Sequence, residues 1–197
     1  MSIPVNEVTV EPTIEPVTVP EVKENAFIVD DTSADLLIKK QYIPEARKLV
    51  EKLANRSLIT QTRAQYYDSL EYEMFLRYGP VQSISSVTYK DSNESSQTLT
   101  STKYTLDAKS IPARLNIGYN ETYPLSITDT NSVVVTMVSG YGSTIASVPL
   151  IYRRAIIMWA TILFNNRSPI ACGDGYEKSL AALQQMLAIE GATPEYA

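Results

Sequence analysis

The chain has 197 residues, enough for a hydrophobic core in one domain or in two small ones. Apolar residues make up 44% and charged residues 20%, the balance of a folded globular protein. The formal net charge of −5 provides no overall field that would attract nucleic acid, which argues against a protein that grips phosphates.

The sequence contains no histidine and only one cysteine, Cys172. Without histidine the chain lacks the usual general base near neutral pH, the usual catalytic triad and the commonest metal ligand. A single cysteine excludes an intramolecular disulfide and a zinc site of the cysteine type. These absences argue against most hydrolytic, metal-dependent and thiol-based enzymes.

The start of the chain has neither the basic region nor the apolar core of a signal peptide. Its most apolar stretch, Ala155–Phe164, is about half as long as a bilayer requires, so we interpret it as part of a buried helix. Residues 1–17 repeat Val, Pro, Glu and Thr, a composition that predicts an extended, mobile arm. Such an arm is either a tail without a role or a segment that becomes ordered against a neighbouring subunit.

The first helices are predicted within residues 18–57. Thr18-Val19-Pro20-Glu21 has the spacing of a capping box and should begin a short helix that ends near Asn25. A longer helical pattern follows Asp30-Asp31, which we interpret as capping residues, and Pro44 should make that helix kink or restart. We expect the pairs Glu45–Lys48 and Arg47–Glu51 on its solvated side.

Residues 58–142 have the composition of an antiparallel β-domain. Short runs rich in Thr, Tyr, Val and Ile alternate with turn residues such as Gly79-Pro80 and Asp91-Ser92-Asn93. The predicted strands are Thr60–Tyr67, Met74–Tyr78, Val81–Tyr89, Gln97–Leu99, Lys103–Leu106, Arg114–Ile117 and Ser132–Ser139. Strands at this spacing indicate a sandwich or a small barrel.

Helices return in residues 143–197. Leu150–Phe164 is apolar nearly all round, which is typical of the most buried helix of a fold, and a last helix is predicted from Tyr176 to Ile189 with Gly191 as its stop. We therefore predict an α+β protein, a helical bundle with an inserted antiparallel β-domain between its N- and C-terminal helices.

No motif in the chain predicts catalysis, a cofactor or a metal. Gly140-Tyr141-Gly142 is better explained as a tight strand-to-helix turn than as a glycine loop for phosphate. Gly173-Asp174-Gly175 lacks the further acidic ligands of a calcium loop, so we interpret it as a flexible loop. Cys172 has no activating partner nearby except Arg167, and we predict no reactive role for it.

Two features leave room for a protein partner. The chain contains thirteen tyrosines but only three phenylalanines and one tryptophan. This composition suits protein interfaces in which one edge of the aromatic ring stays in contact with water, and it also suits a β-rich core. Arg153 and Arg154 begin the buried helix, where positive charge opposes the helix dipole. They should pair either with carboxylates of the same chain or with a partner.

Three segments together resemble the head–tail connector (adaptor) family of tailed bacteriophages. The segment from Val22-Lys23 through Ala46-Arg47 to Asn55–Thr62 resembles the family's opening. Pro80–Tyr89 is similar to its central strand. Val133–Gly142, followed by Pro149, Arg153 and Asn166-Arg167, resembles its closing strand, glycine turn and long helix. The likeness covers roughly residues 18 to 167. The long proline-rich arm and Pro44 depart from the family pattern.

The resemblance implies a structural protein of the virion, not an enzyme, and no cofactor. It implies a homo-oligomeric ring, expected to be dodecameric, that is assembled in the host cytoplasm. The ring would dock on the portal protein on one side and receive a tail or stopper protein on the other, with DNA passing through its channel without sequence-specific binding. The alternative is a tail-completion or stopper protein of the neck, and a monomeric binding module or an unrecognised enzyme remains a third class.

Partner contacts are assigned to the last helix and tail, Tyr176–Ala197, which we expect to reach the portal because this end carries the least family signature. The candidate partner-binding residues are Arg153, Arg154, Tyr176, Leu180, Leu183, Leu187 and Tyr196.

Overall fold

The computed structural model describes residues 5–28, 32–124, 126–166 and 174–189. These residues form two compact units. Residues 5–12 and 60–141 make a β unit, and residues 13–59 together with 142–189 make a helical unit. Some of the residues for which the sequence analysis made predictions lie outside the described ranges, namely Asp30-Asp31, Cys172, Gly191 and Tyr196.

Eight antiparallel strands in two sheets build the β unit. The larger sheet has the order β1-β2-β8-β4-β5, and the smaller has the order β3-β7-β6. The strands are β1 (Asn6–Val10), β2 (Gln61–Tyr67), β3 (Glu73–Leu76), β4 (Val81–Lys90), β5 (Ser96–Thr98), β6 (Tyr104–Asp107), β7 (Ala113–Ile117) and β8 (Val133–Ser139). All seven strands predicted from the sequence are present, with ends that differ by one or two residues.

The two sheets share one hydrophobic core, so the β unit is a sandwich and not a closed barrel. Strand β8 lies at the centre of the larger sheet, and its residues alternate between buried and half-buried positions. Val133, Val135 and Met137 therefore point to one face, where they meet Met74 and Leu115 of the smaller sheet.

The prediction of an extended, mobile arm over residues 1–17 is confirmed at residues 6–10 for its extended backbone and is wrong there for its mobility. Asn6–Val10 is the edge strand β1, which pairs antiparallel with β2 from Asn6 opposite Gln65 to Val10 opposite Thr62. The physical reason is that Val and Thr favour strands, while Pro12 follows the strand and does not interrupt it.

The helical unit begins with α1 (Val19–Asn25), which confirms the predicted capping box. The Thr18 hydroxyl accepts a hydrogen bond from the backbone N–H of Glu21, and the Glu21 carboxylate accepts one from the backbone N–H of Thr18. Both bonds satisfy donors that the first turn of a helix otherwise leaves unpaired.

The predicted interruption at Pro44 takes the form of a π-helical turn. A short α2 (Asp35–Leu37) continues as a π-helix over Ile38–Tyr42 and then as α3 (Ile43–Ala54), with Pro44 in the first turn of α3. Proline has no N–H to donate to the preceding turn, so the wider π turn is accommodated immediately before it.

Two long helices complete the helical unit, α4 (Leu150–Asn165) and α5 (Asp174–Ile189). Trp159, at the centre of α4, is only 2% exposed, but Leu150 on the same helix is 74% exposed. A larger share of α3 than of α4 is buried, so the prediction that α4 is the most buried helix is wrong. Asp174 and Gly175 lie in the first turn of α5, so the prediction of a flexible loop is wrong for these two residues. No helix among the described residues is long and apolar enough to span a membrane.

Candidate assembly surface

Arg153 and Arg154 occupy different environments at the start of α4. The guanidinium of Arg153 forms an ion pair with the Glu21 carboxylate of α1. Of the two predicted alternatives, Arg153 therefore pairs with a carboxylate of the same chain. Arg154 is exposed and forms no ion pair with any residue that the structure describes. Of the two cations, Arg154 is the one available to a partner.

Glu21 has two roles, since it caps α1 and pairs with Arg153. Partial burial by itself raises the pKa of the Glu21 carboxyl. The hydrogen bonds from Thr18 and the positive charge of Arg153 outweigh burial, so the pKa of Glu21 lies below its ordinary value of 4.5. The carboxylate is therefore held ionised where α1 and α4 meet.

An exposed aromatic side chain lies beside this ion pair. Phe27 follows α1 with a φ of 54°, a left-handed conformation that bulky residues rarely adopt, and its side chain is 91% exposed. It borders a cleft of about 500 Å³ that is also lined by Glu24 of α1 and by Leu150, Arg154 and Ile157 of α4. Sequence reasoning missed Phe27, because nothing in its neighbours signals a positive φ there.

The residues predicted on α5 divide into buried and accessible ones. Leu183 and Leu187 are 2% and 1% exposed, so they belong to the core of the helical unit and are not available to a partner in this conformation. Tyr176 and Leu180 are half-buried. The Tyr176 ring also packs edge-on against Trp159, which ties the first turn of α5 to the centre of α4.

The prediction that Arg47 and Glu51 lie on the solvated side of α3 is wrong. Both side chains are 3% exposed, and their ion pair is 3.2 Å long. The Arg47 Nε also donates to Glu15 at 2.9 Å, and the backbone N–H of Leu58 donates to Glu51 at 2.9 Å. This cluster ties together the segments before α1 and after α3, since a buried charge must be paired and hydrogen-bonded.

The outer face of the smaller sheet carries an ion-pair network. Arg114 of β7 contacts Glu73 of β3 at 2.8 Å and Asp107 of β6 at 2.7 Å, so it links all three strands. Hydrogen bonds from Ser110 and then Arg114 hold the pKa of Asp107 well below its ordinary value. Nearby, Tyr72 and Tyr119 are 76% and 93% exposed.

Among the residues that the structure describes, no group of three or more acidic, histidine or cysteine side chains could hold a metal ion. The polar clusters found, around Arg47, Arg114 and Arg153, consist of ion pairs that connect structural elements.

No protein-family model matches the chain, and no curated protein matches it in sequence. Its fold, in contrast, is that of solved structures of phage-like particles. A chain of the neck of an empty gene transfer agent (GTA) particle, computed with C6 symmetry, superposes with a TM-score of 0.70 at 14% identity, over 83% of this chain and 85% of that one.

Two further structures share the fold. A chain of the neck of the native GTA particle, computed with C12 symmetry, has a TM-score of 0.65 at 15% identity, over 85% of both chains. A chain of the native GTA virion has a TM-score of 0.63 at 14% identity, over 82% of this chain and 86% of that one. These matches confirm the predicted α+β fold, and they lie in the kind of assembly that the sequence resemblance indicated.

Proposed function

We propose that the chain is a structural protein of the neck of a phage or phage-like particle. The observation that carries this proposal is the shared fold with chains of GTA neck structures over more than four-fifths of the sequence. The resemblance of three sequence segments to the head–tail connector family supports the same role independently. The chain acts by shape, and no catalytic step is assigned to it.

In this role the subunits form a ring, of twelve copies, that docks on the portal protein and receives the tail or a stopper protein on its other side. The sixfold and twelvefold symmetries of the neck structures with this fold support a ring around the particle axis. A net charge of −5 per chain gives about −60 for twelve copies, which favours DNA passing through the channel over DNA binding to it.

The portal-facing surface is assigned to the last helix and the tail, residues 176–197. With Leu183 and Leu187 in the core, this assignment rests on Tyr176, Leu180 and Tyr196. Arg154 and the neighbouring Phe27 form a second accessible patch on the helical unit. An exposed aromatic beside an exposed cation is typical of a protein–protein contact, because both residue types are enriched at interfaces.

The test is to mix the purified protein with portal protein and to measure mass by light scattering and shape by electron microscopy. A ring of this chain, alone or on the portal, seen end-on is the expected result. A strict monomer that ignores the portal and binds tail tubes would instead identify a tail-completion or stopper protein.

A truncation examines the portal-facing surface separately. Removal of residues 191–197 should weaken portal binding while the ring remains able to form. Full portal binding by the truncated chain would exclude the tail from that surface, and Leu180→Ala, in the half-buried part of α5, would then examine the helix alone.

A further inference from the structure

We propose that neighbouring subunits join by adding the open edge of β1 to the β6 edge of the next copy, so that the sheets continue from one subunit to another. This inference deepens the proposed ring, and rests on it, by assigning the contact that closes it. It concerns the β unit alone.

The lateral edges of the sandwich differ from each other. The side chains of Gln65 and Tyr67 on β2 both donate to the backbone carbonyl of Phe75, at 2.9 and 2.7 Å, so β3 lies beside β2. One edge therefore carries β1 with β3, and the other carries β5 with β6, which only a short connection separates. A head-to-tail ring needs two different surfaces on each subunit, and opposite edges of one sandwich provide them.

Strand β3 is not free to accept another strand. Gln65 is fully buried, and besides its bond to Phe75 its side-chain oxygen accepts from the backbone N–H of Arg77 at 3.0 Å. With Tyr67 also bound to Phe75, side chains of β2 already occupy the carbonyl that β3 would offer to an added strand at Phe75. β1 is the other edge strand on this side of the sandwich, and no strand pairs with its outer edge among the described residues.

The backbone groups that β1 offers can be identified from its register. The backbone N–H of Tyr66 donates to the carbonyl of Val5, and Glu7 lies opposite Ala64, so Val5 and Glu7 direct their backbone groups toward β2. Because these directions alternate in an antiparallel pair, Asn6 and Val8 direct theirs to the open side. Unpaired groups of this kind are a template for an added strand.

The charges near the two strands favour β6 over β5 as the strand of the next copy that pairs with β1. The β1 edge carries the exposed Glu7 and no cation between residues 5 and 12, so it is acidic. Strand β5 is preceded by Asp91 and Glu94, which would repel it. The exposed Lys109 follows β6 and is the cation offered to an acidic strand, since Lys103 on the other side of β6 is paired with Glu121. β6 is also the other edge strand of the smaller sheet. Opposite charges across the junction would select this partner strand.

Part of the edge lacks the usual protection against such pairing. Natural edge strands are commonly blocked by lysine, by proline or by a bulge. β1 contains neither lysine nor proline, and its pairing with β2 is irregular only between Val8 and Val10, so the regular segment from Asn6 to Val8 is the part open to an added strand. Val5, just before the strand, and Val10, its last residue, are 58% and 57% exposed, an apolar surface that a neighbouring strand would cover. A strand of five residues spans about 17 Å, enough for a short β-junction repeated at each subunit contact.

The decisive variant is Val8→Pro, with Glu7→Pro as its matched control. Proline at position 8 removes an N–H that points away from β2, so the subunit should fold normally and fail to form rings. Proline at position 7 removes an N–H directed toward β2 and should instead destabilise the subunit. Circular dichroism reports the fold, and light scattering reports the ring. Rings of normal mass from a folded Val8→Pro protein would overturn the proposal.

Amide hydrogen exchange in the wild-type protein gives a second measurement that needs no variant. Protection of Asn6 and Val8 should rise on ring formation, while Glu7 is already protected in the subunit. Unchanged exchange at both positions in intact rings would overturn the proposed β1 contact without contradicting the proposed ring. Absence of any ring from the wild-type protein, with or without portal, would contradict the proposed function instead.

The identity of the partner strand is decided by exchanging charges. Glu7→Lys and Lys109→Glu should each weaken ring assembly, and the double variant should recover at least part of it. If both single variants weaken assembly and the double variant recovers nothing, β6 is not the partner strand.

Discussion

The indole of Trp159 and the phenol ring of Tyr176 meet edge-on, with 5.1 Å between their ring centroids and 63° between their planes. This contact joins α4 to the first turn of α5, and edge-to-face aromatic pairs contribute about 0.5–1.5 kcal/mol beyond the area that they bury. A residue assigned to partner binding from the sequence thus also stabilises the helical unit.

Replacement of Trp159 by alanine should lower the free energy of unfolding by about 3–5 kcal/mol, because a large buried side chain leaves a cavity that its surroundings only partly fill. Thermal or urea unfolding measures the loss. Leu150→Ala on the same helix is the control, since that side chain is 74% exposed and should change little. Near-normal stability of the Trp159 variant would contradict the central position of α4.

Arg47→Ala should destabilise the protein by about 3–5 kcal/mol, because it leaves the buried carboxylate of Glu51 without its cation. Lys52→Ala, one residue further along α3 and exposed, should stay within about 0.5 kcal/mol of the wild type. Equal effects of the two variants in urea unfolding would show that the cluster does not hold the helical unit together.

Glu21→Gln should destabilise the protein in a way that depends on pH. The pKa of Glu21 is lowered in the folded state, so the folded protein favours the charged carboxylate and its contribution is complete above the ordinary value of 4.5. That contribution is lost as the pH falls through the folded-state pKa. The difference in unfolding free energy between wild type and variant should therefore be largest near neutral pH and shrink in acid. A difference that stays constant from pH 7 to pH 3 would contradict the lowered pKa and, with it, the contacts of Glu21 with Thr18 and Arg153.

Two glycines should respond to alanine in opposite directions. A Cβ at Gly142, whose φ is +157°, would lie 2.7 Å from the Cβ of Ser147, so Gly142→Ala should cost about 1–3 kcal/mol. A Cβ at Gly175 in α5 would meet nothing within 4 Å, so Gly175→Ala should stabilise by about 0.5–1 kcal/mol. Melting temperatures measure both, and a lower value for Gly175→Ala would contradict the helical start of α5.

Local patterns predicted the elements well, because the signals involved are short-range. The capping box at Thr18 and the restart at Pro44 each depend on a few neighbouring residues. The alternation in β8 is equally local. The tight turn predicted at Gly140-Tyr141-Gly142 is also a local signal, and the φ values of Gly140 and Gly142 are positive, 132° and 157°.

The errors arose where distant segments decide the environment. Arg47 and Glu51 have the spacing of a surface pair, but Glu15 and the N–H of Leu58 give them partners that permit burial. The pairing of β1 with β2 joins residues more than fifty positions apart. Of the two arginines predicted to contact a partner, Arg154 is exposed and Arg153 is paired to Glu21, which lies 132 positions away. The exposed ring of Phe27 depends on a backbone conformation that the sequence does not signal.

The helical unit is discontinuous in the chain, and this determines the order in which the protein can fold on the ribosome. Glu21 and Arg153 are 132 positions apart, with nearly the whole β unit between them. Helices α1 and α3 therefore emerge long before α4, on which they pack, has been translated. The sandwich can form first, whereas the early helices can pack only after the C-terminal third of the chain has been synthesised. A polypeptide truncated during synthesis would therefore contain a folded sandwich together with helices whose apolar faces remain exposed.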